Sequence, residues 1–252
     1  RWQAAQDIAL DLLSRMVKAV QRGKEAPADP AFVEALGRTL ADDKMDPAFA
    51  AEMLALPGED VIADRMEVVD VEAVHVARKA LMRAVAEGLR DPLMDAYRRN
   101  MENSMNPTDS AAGGRRALKN RALAYLMETE GREIEELCLR QYEQAATMTD
   151  SITALTQFAH RDSGHRRRVL SDFRQKWAGD RLVLDKWFSL QVVHAAPEAA
   201  AATAEALTGH PAFDMRNPNR FRATLGALAM SQAGFHHASG AGYRLLADWL
   251  IR

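Results

Sequence analysis

Several things are scarce in these 252 residues, and each scarcity removes a class of function. There is one cysteine, Cys138, so no intrachain disulfide can form, and a single thiol suits a reducing compartment. There is no excess of either charge sign. Lys plus Arg number 33 against 35 Asp plus Glu, a net charge of −2, whereas nucleic-acid and anionic-membrane binders usually carry a basic surplus. No apolar run approaches the roughly 20 residues needed to span a bilayer. Strand signals are nearly absent. Motifs of hydrolytic chemistry are missing too: no H-E-x-x-H zinc helix, no Gly-x-Ser-x-Gly elbow and no Walker loop.

What the chain has is helix. Hydrophobic residues make up 48%, enough for a sizeable core, and Ala, Leu, Met, Arg and Glu dominate. Between 71 and 89, Val71, Val74, Ala77, Leu81, Val85 and Leu89 fall three or four apart, which draws one stripe down one helix face. Asp29-Pro30, Asp46-Pro47, Asp91-Pro92 and Asn217-Pro218 each set a capping side chain before a proline at the first helical position. Gly23, Gly58, Gly131, Gly164, Gly179 and Gly209 read as stops or turns.

Helices are predicted near 1–22, 30–41, 47–56, 59–66, 70–88, 92–103, 109–129, 131–145, 149–160, 164–178, 180–195, 197–208, 217–230 and 242–252. The small, polar stretch 103–114, NSMNPTDSAAGG, is predicted to turn or bend. Short connections favour antiparallel neighbours. The expected fold is all-α: a superhelical stack of antiparallel helix pairs, an armadillo or HEAT-like solenoid, forming one domain over 1–252. No clean sequence repeat marks it, so this rests on helix lengths. The chain opens on Arg1 rather than Met and stops inside an apolar-periodic run, which suggests a piece of a longer polypeptide.

Each candidate for chemistry has a structural competitor. Cys138, in ELCLRQY, lies on an apolar helix face and reads as a buried small hydrophobe. His160 and His165 flank a turn beside Arg166, Arg167 and Arg168. A metal there would face three fixed positive charges, so a solvated basic corner is expected. His75 and His194 lie singly on helices, and His236-His237 point about 100° apart. GGRRALKNR, 113–121, has the look of a phosphate cradle, but a solvated face opposite Leu118, Ala122, Tyr125 and Leu126 is favoured. DKWFSLQ, 185–191, is apolar over most of its circumference and reads as a central core helix.

The run RNPNRFRATLGALA, 216–229, is unusual. Arg220 and Arg222 fall in the first two turns after the Asn217 cap, with Arg216 just before. Cations there oppose the positive end of the helix dipole by about 0.3–1 kcal/mol each when exposed. The resulting electropositive helix end suits a carboxylate or backbone carbonyls. An internal salt bridge, for instance to Asp214, or an interface with another domain is the competing reading.

Together RWQAAQ at the start, MTDSITAL (148–155), DKWFSLQ and NPNRFRATLGALA followed by GYRLLADWL resemble the C-terminal helical region of the bacterial aminopeptidase N family, zinc-dependent aminopeptidases of the gluzincin type. The resemblance runs along essentially the whole chain in the same order. It implies an all-helical superhelix packed over a catalytic domain of the same polypeptide. In the family that domain carries H-E-x-x-H, a distal Glu for zinc and a Gly-x-Met-Glu-Asn stretch, none of which occurs here. The helical region encloses the active-site cavity, admits peptides and excludes folded proteins.

On this resemblance the chain is a non-catalytic part of a cytoplasmic metalloprotease of peptide catabolism. It has no catalytic residue and no metal or cofactor of its own; zinc belongs to the parent enzyme. Its partners are the catalytic domain and peptide substrates, with no nucleic acid and no membrane. Arg220 and Arg222 are the candidate substrate-binding residues. The family region continues through further helices beyond the point where this chain stops. A free-standing helical-repeat scaffold for protein partners is the alternative. An all-α hydrolase using His160 or His165 is a third reading, with no ligand set or triad behind it.

Overall fold

The structure is a computed structural model that describes residues 1–101, 109–161 and 163–251. Among these there is no strand, and the expected all-α class holds. The chain divides into two compact units, 1–154 and 155–252, each described by itself.

The first unit begins with α1 (Trp2–Val20), α2 (Pro30–Ala41), α3 (Pro47–Met53), α4 (Glu59–Ala63) and α5 (Val71–Gly88). It continues with α6 (Arg90–Arg99), α7 (Ser110–Leu126) and α8 (Arg132–Gln144), and runs into α9 (Met148–Ala159). The stripe read from the sequence is the buried face of α5: Val74, Ala77, Leu81 and Val85 are almost wholly inaccessible. That face packs on α1, whose Leu13, Met16 and Val17 are equally buried. Each Val, Leu or Met side chain among them contributes about 1.5–3 kcal/mol when fully removed from water. α7 lies against α3 and α6, and the Tyr125 hydroxyl donates to the Leu54 carbonyl at 2.6 Å, tying α7 to the end of α3.

Two sequence expectations about helix starts are corrected in this unit. Asp91 does not cap a helix. α6 starts from Leu89, whose carbonyl accepts the Leu93 N–H, because α5 and α6 follow one another almost without a break. Pro92 therefore sits in the first turn, where its missing N–H costs nothing. The second concerns the bend expected over 103–114. Residues 102–108 lie outside the described residues, but Ser110–Gly114 open α7. Gly114 has a packing reason: a Cβ there would come within 3.1 Å of the Ala48 nitrogen, a tight contact that glycine avoids as α7 approaches α3.

The second unit holds α10 (Arg166–Lys176), α11 (Arg181–Val193) and α12 (Ala200–Thr208), the last entered through a 3₁₀ turn at Pro197–Ala199. Then come α13 (Pro218–Phe221), a π-helical turn (Arg222–Gly226), α14 (Ala227–Met230), α15 (Gln232–Phe235) and α16 (Ala241–Ile251). α11 is the central helix the sequence announced. Its Val183, Leu184, Trp187, Phe188, Leu190 and Val192 are buried, and the Trp187 indole donates to the Leu170 carbonyl at 2.8 Å. The proline caps at Asp29, Asp46 and Asn217 form as expected, each side chain accepting a backbone N–H of its own first turn.

Candidate functional site

The helix that begins at Asn217 is assembled from local chemistry. The Asn217 side chain accepts the N–H groups of Asn219 at 3.1 Å and Arg220 at 3.4 Å, and Pro218 opens the helix. After one turn the ladder widens into the π-helical turn Arg222–Gly226, a form that often marks functional positions. Thr224, fully buried inside it, hydrogen-bonds the Arg220 carbonyl at 3.0 Å.

The two arginines part company here. Arg220 is buried, 3% exposed. Its Nε donates to Asp185 Oδ1 at 2.6 Å, Nη1 donates to the Ala212 carbonyl and Nη2 reaches the Arg181 carbonyl at 3.5 Å. Its guanidinium carbon lies 4.5 Å from the Phe188 ring centre. A planar guanidinium suits this set of acceptors and an aromatic face together. The internal partner is Asp185, not the nearer-in-sequence Asp214, which accepts the Arg216 N–H instead. Arg222 is exposed.

His210 closes the same cluster. Its Nδ1 accepts the Ala212 N–H at 3.0 Å, and its ring lies 5.2 Å from Trp187 and 5.6 Å from Phe188, centre to centre. Partial burial, then the cations of Arg174 and Arg220, lower its pKa below the usual histidine value.

A second polar centre lies in the first unit, and GGRRALKNR is corrected by it. Lys119 and Asn120 are not on a solvated face. Lys119 Nζ meets Asp150 Oδ1 at 2.9 Å, with both side chains only 9% exposed. Asn120 donates to the same carboxylate at 3.0 Å, and Gln141 donates to Asn120 Oδ1 at 2.8 Å and to the Asp150 carbonyl at 3.2 Å. Thr147 exchanges bonds with the Asp150 carboxylate and N–H, both at 3.2 Å, in the manner of a helix cap. Burial first, then the nearby Cys138 and Asp150, push the Tyr97 hydroxyl up to about 12.

The histidine corner is only partly in water. Arg167 and Arg168 are exposed, but His160 and Arg166 are half-buried, and the Arg166 Nε donates to the Ala159 carbonyl at 3.1 Å. The His160 and His194 rings lie 5.9 Å apart, tilted at 45°, and the His165 and Phe158 rings meet edge-on at 6.0 Å. His194 is thus not a lone helix histidine, and burial lowers its pKa. His75 pairs with Glu59 at 2.8 Å. Cys138 is fully buried. Among the described residues no three His, Cys, Asp or Glu side chains come together to hold a metal ion, so the donors that zinc needs are not assembled by them. None of the described helices is long and apolar enough to cross a membrane.

Sequence reasoning missed Asp185, His210 and the Lys119–Asp150 centre. A signal existed for two of them. Lys119 shares helical register with Leu123 and Leu126, and Asp185 with Phe188 and Val192, so each charge falls on an apolar face. Nothing local singles out His210.

Comparison with known proteins is consistent along the whole chain. Residues 1–252 match the model of the family described as "Domain of unknown function (DUF3458_C) ARM repeats". The chain is 37% identical to aminopeptidase N of Caulobacter vibrioides over 253 aligned positions, covering 100% of this chain and 29% of that protein. It is 33% identical to aminopeptidase N of Escherichia coli, covering 99% of this chain and again 29% of the relative. Among solved structures, Legionella pneumophila aminopeptidase A in complex with aspartic acid superposes with a TM-score of 0.85 at 25% identity, over 98% of this chain and 30% of that one. The chain thus spans under a third of the length of these relatives. It belongs to the DUF3458_C family of ARM repeats and is the counterpart of the C-terminal helical region of bacterial aminopeptidase N.

Proposed function

We propose that this chain is the non-catalytic helical wall of a zinc aminopeptidase that removes N-terminal residues from peptides. One observation carries the reading: aminopeptidases N match this chain from end to end while extending over more than twice its length elsewhere. Zinc and the hydrolytic groups belong to a catalytic domain of the same polypeptide, in the cytoplasm. This region encloses the active-site cavity and restricts it to peptides.

Within that wall, Arg222 is exposed and meets the carbonyls or carboxylate of the peptide. Arg220 fixes the helix that presents it, through Asp185 and the Ala212 carbonyl. The geometry supports this division, because Arg220 is 3% exposed and held by Asp185 and two backbone carbonyls, whereas Arg222 stands in water.

The test uses the full-length enzyme. Arg222→Ala is expected to raise KM for peptides of several residues and to leave aminoacyl anilides unchanged. Equal effects on both substrates would remove the substrate role. The pure, metal-replete 252-residue chain is expected to cleave no aminoacyl anilide and to bind no stoichiometric zinc. Turnover by that chain would overturn the non-catalytic assignment.

A further inference from the structure

The turn that leads into α13 contains a group whose protonation state is dictated by its own hydrogen bond. His210 Nδ1 accepts the Ala212 N–H at 3.0 Å. A backbone amide can only donate, so Nδ1 must present its lone pair and the ring must be neutral with its proton on Nε2. Ala212 is held on both sides, since its carbonyl takes Nη1 of Arg220. One residue therefore links the imidazole to the buried arginine.

The charged surroundings favour the neutral ring. Arg174 from α10 and Arg220 from α13 are the cations that act on it, and Asp185 of α11 is engaged by Arg220. Trp187 and Phe188 of α11 cover it with aromatic surface. Asp214, the carboxylate of its own turn, accepts the Arg216 N–H at 2.9 Å. Among the described residues no carboxylate is hydrogen-bonded to the ring. Yet the ring is only half-buried, so a proton from water can reach it.

We propose that His210 is a pH-sensitive latch: protonation at Nδ1 sets N–H against N–H, expels the Ala212 amide, loosens the turn 209–217 and withdraws the Ala212 carbonyl from Arg220. The latch is closed at neutral pH and opens in acid. It acts on the segment that positions Arg220, and it needs no assumption about what Arg222 binds.

Amide hydrogen exchange of the turn in the full chain tests this, measured between pH 7.5 and 5 and corrected for intrinsic exchange. One proton taken up per opening raises the opening constant toward about tenfold for each pH unit below the free histidine value of 6.5. The rise is expected at Ala212 and its neighbours. His210→Asn is expected to stay protected throughout, because an Asn oxygen accepts the N–H two residues on and does not titrate. His210→Ala is expected to exchange fast at every pH. Wild-type protection independent of pH overturns the proposal, and so does the same acid loss in His210→Asn. Should either variant fail to fold, the wild-type imidazole titration followed by NMR decides: a midpoint at or above 6.5 overturns the latch.

Discussion

Both units bury an ion pair, and they support opposite members of it. In the first unit the anion is the hub. Asp150 receives Lys119, Asn120 and Thr147, while the ammonium it faces is a compact point charge. In the second unit the cation is the hub. Arg220 feeds Asp185, two backbone carbonyls and the Phe188 face. The Asp185 side chain is the more accessible of that pair, 16% exposed against 4% for Arg220. The two sites therefore do not have interchangeable weak points. What matters is how many buried groups lose a partner when one side chain goes, not whether a salt bridge can be drawn.

The largest effect is expected at Arg220. Arg220→Met removes the charge and leaves Asp185 and the Ala212 carbonyl without their donor, which should cost about 3–5 kcal/mol in urea or thermal unfolding. Arg220→Lys is not expected to rescue it, because an ammonium cannot reproduce the planar fork. A lysine variant as stable as wild type would break the hub description of the second unit.

The units also differ in how they meet alkali. The first holds Tyr125, wholly buried, whose hydroxyl stands at about 12 against an ordinary 10, chiefly through burial. The folded state thus keeps its proton where the unfolded chain releases it. That contribution is intact below pH 10 and is lost as pH rises toward 12. Two pKa steps correspond to about 2.7 kcal/mol. Tyr97, raised for the same first reason, acts in the same direction. Unfolding measured between pH 9 and 12 should show this limb, and Tyr125→Phe should shrink it while leaving the Leu54 carbonyl without its donor.

Lys119→Met should cost less than the Arg220 change, about 1–3 kcal/mol, because Asp150 keeps the Asn120 and Thr147 donors. A Lys119 variant as damaged as Arg220→Met would show that the anion's neutral donors carry little, and the contrast between the units would disappear.

Much of the scaffold could be read without coordinates, and the reason is periodicity. The α5 stripe and the apolar girth of α11 are patterns within one helix, so a single sequence displays them. The caps at Asp29, Asp46 and Asn217 were legible because Asx-Pro acts within one turn. Asp91-Pro92 misled because the same dipeptide fits one step inside a helix that another residue has started. The polar centres were harder. Arg220 meets Asp185 across 35 positions, and Lys119 meets Asp150 across 31; no local spacing encodes such a meeting. The resemblance to the aminopeptidase N family found the right stretches, since Asp150, Asp185 and Arg220 all lie in the segments that carried it, but it said nothing of which charges face one another.

The smallest expected effect lies on the acid side and belongs to the second unit. His194 and His210 both have lowered pKa values, chiefly through burial. The folded state disfavours the proton that the unfolded chain accepts at 6.5, so stability is complete above that value and declines as pH falls below it. His194 is the more buried of the two and owes its shift to burial, whereas His210 is also repelled by Arg174 and Arg220. Replacing His210 by Asn should therefore flatten part of the acid limb and leave the rest to His194. Adding His194→Gln should flatten most of what remains, with the alkaline limb of the first unit untouched. If the double variant kept the full acid limb, the two histidines would not be its source, and the two units would no longer differ in their response to acid.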